Sequence, residues 1–384
     1  MRIVGLSVLA AMPVFGDLKL EPTLHFQALM GESSADHLED LGVHGHDPNN
    51  NFALQGLDLG MNIHYGDDVS GFVNMNAFST PDHGMEAEWE EGFLKFTGLV
   101  DGLEIRGGRF LNRLGLQNNR HLHSWEFVDA NLSTGFFLGE DGLRTDGVEL
   151  TWMQEFDTSF FALTGSLGSA VTHEHEEEHE EEDDEHGRGG AGELAFFDDE
   201  LATARILFGY NQTDFHQHRL GLNGSWGGNG YGHDTALYSA DYSYTWRENG
   251  LESGGREFSV GLEYFLREVE WEHEENAGNR GETSQSGVMV FARYRFSDEW
   301  VGDLRYGWIE GKEAGAEIDM GEVEYAFEVE ERKRLSLALT REFDLYENTN
   351  SHVRLQYNHD DLESGSENSV WLQFGFNFGP GEVR

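Results

Sequence analysis

Along most of the chain, apolar and polar residues alternate with a period of two. The last such stretch sets the pattern: Val370, Leu372, Phe374, Phe376 and Phe378 alternate with Trp371, Gln373, Gly375 and Asn377. Successive side chains of a strand leave on opposite faces, so this order gives one apolar face and one mostly polar face. Sixteen segments of this kind follow residue 16: 18–30, 52–65, 69–78, 88–97, 102–111, 144–153, 159–168, 202–212, 216–226, 235–247, 257–270, 286–296, 300–310, 333–343, 351–359 and 368–378. Most are about ten residues long, the length at which a tilted strand crosses a bilayer. Clear combs occur at Ala204/Ile206/Phe208/Tyr210, Val260/Leu262/Tyr264/Leu266 and Leu335/Leu337/Leu339. Several end in Tyr or Trp, as at Tyr242/Tyr244/Trp246 and Tyr306/Trp308, residues suited to the level where hydrocarbon meets headgroups.

A soluble sandwich shows the same alternation, and the connections separate the two readings. Short turns, such as 66–68, 213–215 and 297–299, alternate with long connections at 31–51, 112–143, 169–201, 271–285 and 311–332. Short turns on one side and long loops on the other are the asymmetry of an outer-membrane barrel. The expected fold is therefore all-β: a single transmembrane antiparallel β-barrel over 17–384, of about sixteen strands, with fourteen or eighteen as alternatives. Ahead of it, Met1-Arg2, the apolar run Ile3–Phe15 and Gly16 read as a secretory signal peptide, 1–16, cleaved after Gly16. Together these place the chain in the outer membrane of a Gram-negative-type bacterium, with membrane lipid as its surroundings.

Composition then narrows the chemistry. With 25 Lys+Arg against 72 Asp+Glu the formal net charge is −47, which excludes nucleic acid as a partner. There is no Cys, hence no disulfide framework and no thiolate chemistry. If the apolar combs face lipid, the alternate positions face the lumen. These include Lys19, Lys95, Arg106, Arg205, Arg219, Arg267, Arg293, Arg295, Arg305, Arg334 and Arg354, set against Glu21, Asp58, Glu91, Glu104, Glu149, Asp241, Glu263 and Asp303. Opposed charges across a water-filled bore select solutes by charge, although they can also simply line a polar lumen. Gly107-Gly108 reads as a bulge that would turn Arg109 inward as well.

The connection 112–143 carries Trp125, Phe127, Phe136 and Phe137, apolar anchors that would be buried if it folded into the barrel and narrowed the pore. A surface cap or a subunit contact is the alternative. Its charged residues Arg113, Arg120, Glu126 and Asp129, with Lys95, Glu104, Arg106 and Arg109 of the wall, are the candidate constriction residues.

Within this region Glu91-Gly92-Phe93-Leu94-Lys95-Phe96, Gly102-Leu103-Glu104-Ile105-Arg106-Gly107-Gly108-Arg109-Phe110 and Leu114-Gly115-Leu116-Gln117-Asn118 form one stretch. It resembles the two-strand segment of phosphate-selective and related sixteen-stranded porins. The resemblance covers roughly 90–150; elsewhere only the barrel pattern is shared. It implies a homotrimeric porin whose third external loop folds inward. That family's anion path uses a ladder of arginines and a cluster of lysines, and lysine is scarce here. The interior arginines leave an anion-selective, phosphate-type channel open as an alternative, while the acidic loops oppose it.

One segment remains. Thr172–His186 reads THEHEEEHEEEDDEH, placing His173, His175, His179 and His186 among carboxylates. Imidazole and carboxylate suit Zn²⁺ or another divalent cation, although a solvated acidic run is the plainer reading. His175-Glu176-Glu177-Glu178-His179 matches the letters of a zinc protease motif, but no apolar helix face surrounds it to bury a catalytic metal. With no G-x-S-x-G and no assignable nucleophile–base pair, no enzyme is expected and no cofactor is required. The expected function is passive diffusion of small hydrophilic solutes and ions, with divalent cations such as zinc concentrated at an acidic mouth. A plugged metal-binding or adhesion barrel is a further alternative.

Overall fold

The computed structural model describes residues 17–34, 52–80, 84–139, 141–171, 196–198, 200–230, 232–272, 280–319, 322–346, 349–362 and 365–384. The segment 1–16, read above as a signal peptide, lies outside them. Sixteen strands run in order: β1 (Leu18–Ser33), β2 (Phe52–Tyr65), β3 (Val69–Thr80), β4 (Gly84–Phe96), β5 (Leu103–Leu111), β6 (Arg144–Glu155), β7 (Ser159–Ala170), β8 (Glu200–Thr213), β9 (His216–Gly228), β10 (Asp234–Arg247), β11 (Glu257–Glu272), β12 (Arg280–Arg295), β13 (Trp300–Asp319), β14 (Glu322–Phe343), β15 (Thr349–Leu362) and β16 (Gly365–Phe378). Each pairs antiparallel with its neighbours, and β1 closes on β16 through the register Leu24↔Phe378 to Ser33↔Ser369. Closure leaves no sheet edge, so every strand can satisfy its backbone groups within the wall, as a bilayer demands.

The alternation sorts as the sequence predicts. Leu222, Leu337 and Leu355 stand 52%, 48% and 51% exposed on the outside, while Ser336, Gln356 and Gln373 beside them are fully buried inside. A belt of half-exposed leucines, tyrosines and phenylalanines around a whole barrel is stable only against hydrocarbon; in water it would be an aggregation surface.

Two expectations fail. The connection 311–332 is not a loop: β13 and β14 continue through it as a hairpin, from Gly311↔Glu330 to Asp319↔Glu322. Among the described residues, the pairings with β12 and β15 stop at Glu310 and Lys333, and beyond them the two strands of this hairpin pair with each other. Likewise, 271–272 and 280–285 are strand, with Trp271↔Gly281 and Glu272↔Arg280 paired.

The second failure concerns Gly107-Gly108. The β5 ladder is unbroken from Lys95↔Arg106 to Gly92↔Arg109 and from Arg106↔Glu149 to Arg109↔Asp146, so there is no bulge. With Arg106 inward, Arg109 three residues on is outward, beside Asp146 on the face that carries exposed Val148 and Leu150. What Gly108 permits is close approach: at φ 131°, a Cβ there would stand 2.2 Å from the Gly92 carbonyl oxygen. The register shift lies instead in β4, where Asn74 faces Glu91 and Met75 faces Trp89, leaving Glu90 as the extra residue.

Candidate functional site

The connection 112–143 contains a 3₁₀ turn, Leu122–Ser124, and one short helix, α1 (Leu132–Leu138), capped at its start by the Asn131 side chain accepting from Ser133 N at 3.0 Å. It joins β5 to β6, yet α1 packs against β11, β12 and β13 on the other side of the barrel. The Ser133 hydroxyl donates to the Val288 carbonyl at 2.9 Å, and Phe137 stacks on Phe265 with centroids 5.1 Å apart. Leu132, Phe137 and Leu138 join Leu201, Leu237, Phe265 and Ile309 in one apolar cluster. Phe127 and Phe137 are buried; Trp125 and Phe136 are half-buried.

Asp129 is the polar anchor of this connection. Its Oδ1 accepts from Arg305 Nη2 at 2.6 Å and Gln356 Nε2 at 2.8 Å, and its Oδ2 from Arg334 Nη1 at 2.9 Å and Asn358 Nδ2 at 3.1 Å. Four donors satisfy a carboxylate that water does not reach. The Arg305 guanidinium also lies over the Phe127 ring, 4.2 Å from its centroid, and Arg334 continues to Asp360 at 2.5 Å. Burial alone would raise the Asp129 carboxyl, but Arg305 and Arg334 outweigh it and hold it below the usual range. Glu126 is treated the same way: burial opposes its charge, Arg120 at 2.9 Å and Arg293 at 3.9 Å favour it, and it titrates low.

These shifts fix a sign. Carboxyls depressed by folding stabilise the anchored state fully above their unfolded pKa, about 4, and lose that contribution as pH falls through their lower folded values. The connection is therefore expected to stay anchored from neutrality down to about pH 4 and to loosen below it. Rising conductance noise, or new protease cuts within 112–143, between pH 4 and pH 2 measures this; loosening already near pH 6 would contradict it.

Nearer the start of the connection, the remaining candidates meet. Arg106 Nη2 donates to Glu149 at 3.0 Å with both side chains buried, and its guanidinium lies 4.4 Å from the Phe110 centroid and 4.9 Å from that of Phe93. Arg113 reaches Glu104 at 2.5 Å and Glu149 at 3.4 Å, and Lys95 reaches Glu104 at 3.4 Å. Lys95, Glu104, Arg106 and Arg113 thus form one group, Arg120 and Glu126 a second, and Asp129 a third. Arg109 joins none of them; it pairs with Asp146 at 2.8 Å on the outer face, so its proposed part in a constriction is withdrawn.

Sequence reading missed a fourth group. After β16 the chain reverses at Gly379, whose φ is 107° and where a Cβ would stand 2.6 Å from the Pro22 carbonyl oxygen. Residues 379–384 then run along the inner wall. Gly381 O accepts from Asn62 Nδ2 and Val383 N donates to Asn62 Oδ1, both at 2.9 Å, while Val383 packs on Phe72, Phe93 and Phe110. Arg384 pairs with Glu91 and, at 2.5 Å, with Glu382. The 3₁₀ turn brings His121 to Glu382 at 3.1 Å and His123 to Asp58 at 3.0 Å. Burial disfavours the His121 imidazolium, but Glu382 and Glu90 prevail and its pKa is raised well above the ordinary value. Burial likewise opposes the Glu382 charge, but His121 and Arg384 prevail and its carboxyl is held far below the usual range. The charged pair Glu382 and Arg384 in a Gly-Pro-Gly-led segment was the only local signal for this group.

His173, His175, His179 and His186 lie outside the described residues.

No family model matches this chain. An uncharacterized protein of Aquifex aeolicus is 35% identical over 77 residues, 20% of this chain and 16% of that protein. The chain therefore spans about a sixth of the length of the curated relative it matches. Solved structures align over nearly the whole chain. The outer membrane channel DcaP of Acinetobacter baumannii is 14% identical, with 94% of this chain and 97% of that one covered and a TM-score of 0.54. The anion-selective porin from Comamonas acidovorans is 12% identical, with 94% and 100% covered and a TM-score of 0.54. The trimer form of OmpT, an outer membrane protein of Vibrio cholerae, is 8% identical, with 94% and 100% covered and a TM-score of 0.53. At such identities the likeness is one of fold: the chain is a closed sixteen-stranded antiparallel barrel of the outer-membrane porin type.

Proposed function

We propose that this chain is an outer-membrane channel for passive diffusion of small hydrophilic solutes and ions, with 112–143 folded into the lumen as its constriction. The observation that supports this most directly is residual water access to opposed charges along that connection. The side chains of Lys95, Glu104 and Arg113 keep 14%, 21% and 19% exposure, and those of Arg120, Glu126 and Arg293 keep 31%, 27% and 19%. Diffusion through such a gap needs no catalytic group; gap width and the field between the paired charges do the selecting. The protein works as a homotrimer in this reading, and planar-bilayer conductance from folded protein is its first test. Absence of any conductance would end it.

Because the lining charges are paired, the interior contributes little net selectivity. The acid excess of the 172–186 segment, which lies between β7 and β8 in sequence, acts from a distance in this reading and is open to screening. Reversal potentials should therefore show clear cation preference near 10 mM salt, where the Debye length is about 30 Å, and almost none near 1 M, where it is about 3 Å. Anion preference at both salts would favour the phosphate-type alternative. The same acidic segment would concentrate divalent cations at the mouth.

A second reading, a plugged barrel, is favoured by the apolar cluster that Leu132, Phe137 and Leu138 form with Phe197, Leu201, Leu237, Phe265 and Ile309. Liposome swelling in neutral sugars separates the two: an open gap admits the sugar and a plug does not.

A further inference from the structure

We infer that His25, His123 and Glu382 form a binding site for a divalent transition metal of the zinc class inside the barrel. They come from three parts of the chain: His25 from β1, His123 from the 3₁₀ turn of the 112–143 connection, and Glu382 from the segment after β16. One ligand atom from each lies within 4.8 Å of the others. His123 Nε2 and Glu382 Oε1 are 3.5 Å apart, close to the roughly 3.3 Å between two donors that share a tetrahedral ion with bonds of about 2.0–2.1 Å.

The partners of each imidazole give the stronger argument. His123 Nδ1 is engaged by Asp58 Oδ2 at 3.0 Å, which leaves Nε2 directed at Glu382. A carboxylate on the far nitrogen is the arrangement that fixes a metal-bound imidazole in tautomer and orientation. His25 repeats it: its Nδ1 is engaged by Asn377 Oδ1 at 3.0 Å, and its Nε2 is buried with no hydrogen-bond partner. His25 itself is only 7% exposed, so this nitrogen bears a desolvation cost that nothing offsets. The two rings are parallel at 3.6 Å between centroids, so both imidazoles lie within reach of one ion. The Glu382 oxygen also accepts from His121, as ligating carboxylates commonly do from an outer partner.

Two imidazole nitrogens and one carboxylate oxygen, with a position left for water, match zinc and its neighbours rather than calcium or magnesium, which take oxygen donors. Bound metal would tie β1, the 112–143 connection and the 379–384 segment to one point, at the place where the connection meets the wall.

The test uses full-length folded protein with 173–186 deleted, so that the histidine–glutamate segment cannot compete, after stripping with a chelator. Zinc titration by calorimetry should find one site per chain, and Co²⁺ should give visible ligand-field bands of a four- or five-coordinate ion. His25→Ala and Glu382→Gln should each weaken zinc by well over tenfold, and Asp58→Asn by roughly 10–100-fold, the usual cost of an outer partner. Heat-modified electrophoretic mobility verifies that each variant is folded. Absence of zinc binding, absence of the Co²⁺ bands in the unsubstituted deletion protein, or unchanged affinity in folded His25→Ala would each overturn the inference. The Co²⁺ spectrum decides even if a variant fails to fold.

Discussion

Replacing Asp129 with alanine is expected to release the 112–143 connection from the opposite wall and raise single-channel conductance. Four side-chain donors converge on this carboxylate, two of them from buried guanidinium groups. Removing it takes the Asp129 carboxylate from both Arg305 and Arg334, inside a wall that offers water little access. Breaking a buried pair in this way costs about 3–5 kcal/mol, far more than a surface pair. The barrel hydrogen bonds do not depend on Asp129, so the loss should fall on the connection rather than on closure of the sheet. Larger, noisier openings from a barrel that still shows folded mobility are the expected result. Unaltered conductance would mean that 112–143 does not limit passage.

Arg106→Ala should act on the wall itself. Its guanidinium pairs with Glu149, donates to the Leu111 carbonyl at 3.0 Å and lies between the rings of Phe93 and Phe110. The substitution leaves the buried Glu149 carboxylate with its longer contact to Arg113, at 3.4 Å, and removes two ring contacts together, a loss of up to about 3–5 kcal/mol in urea unfolding. In Glu149→Ala the arginine loses its carboxylate partner and keeps the Leu111 carbonyl and the two rings, so the double variant should be less destabilised than the sum of the two. Additive losses would show that the two side chains do not act as a pair. Arg106→Lys should restore only part, because an ammonium cannot make both planar ring contacts and the forked hydrogen bonds.

What could be read from residues alone follows from the range of the physics involved. A period of two is a local property, so Val370 to Phe378 announces an outward apolar face without knowledge of any neighbour, and the same holds for all sixteen strands. Parity also placed Arg106 and Glu149 on one face, where they pair. The misreadings were local too. Parity from Arg106 puts Arg109 outside, and the glycine pair was given more weight than that count. Val323, Tyr325, Phe327 and Val329 alternate with Glu322, Glu324, Ala326 and Glu328, a strand-like comb inside the connection 311–332 that is part of β14. A hairpin beyond the rim needs backbone pairing and no apolar belt.

Everything at the centre of the barrel was decided otherwise. Asp129 meets Arg305 and Arg334 across 176 and 205 residues of sequence, and Glu382 meets His121 across 261. No periodicity encodes such meetings, because they depend on how a closed cylinder returns distant strands to one radius. The charged residues of 112–143 were identifiable as candidates by type, whereas their partners, and the gathering of His25, His123 and Glu382, came only with closure. Sequence alone determined a sixteen-stranded membrane barrel with charges inside. Which charges meet was left to the tertiary structure, since strand patterning acts over neighbours two apart while ion pairing acts through space.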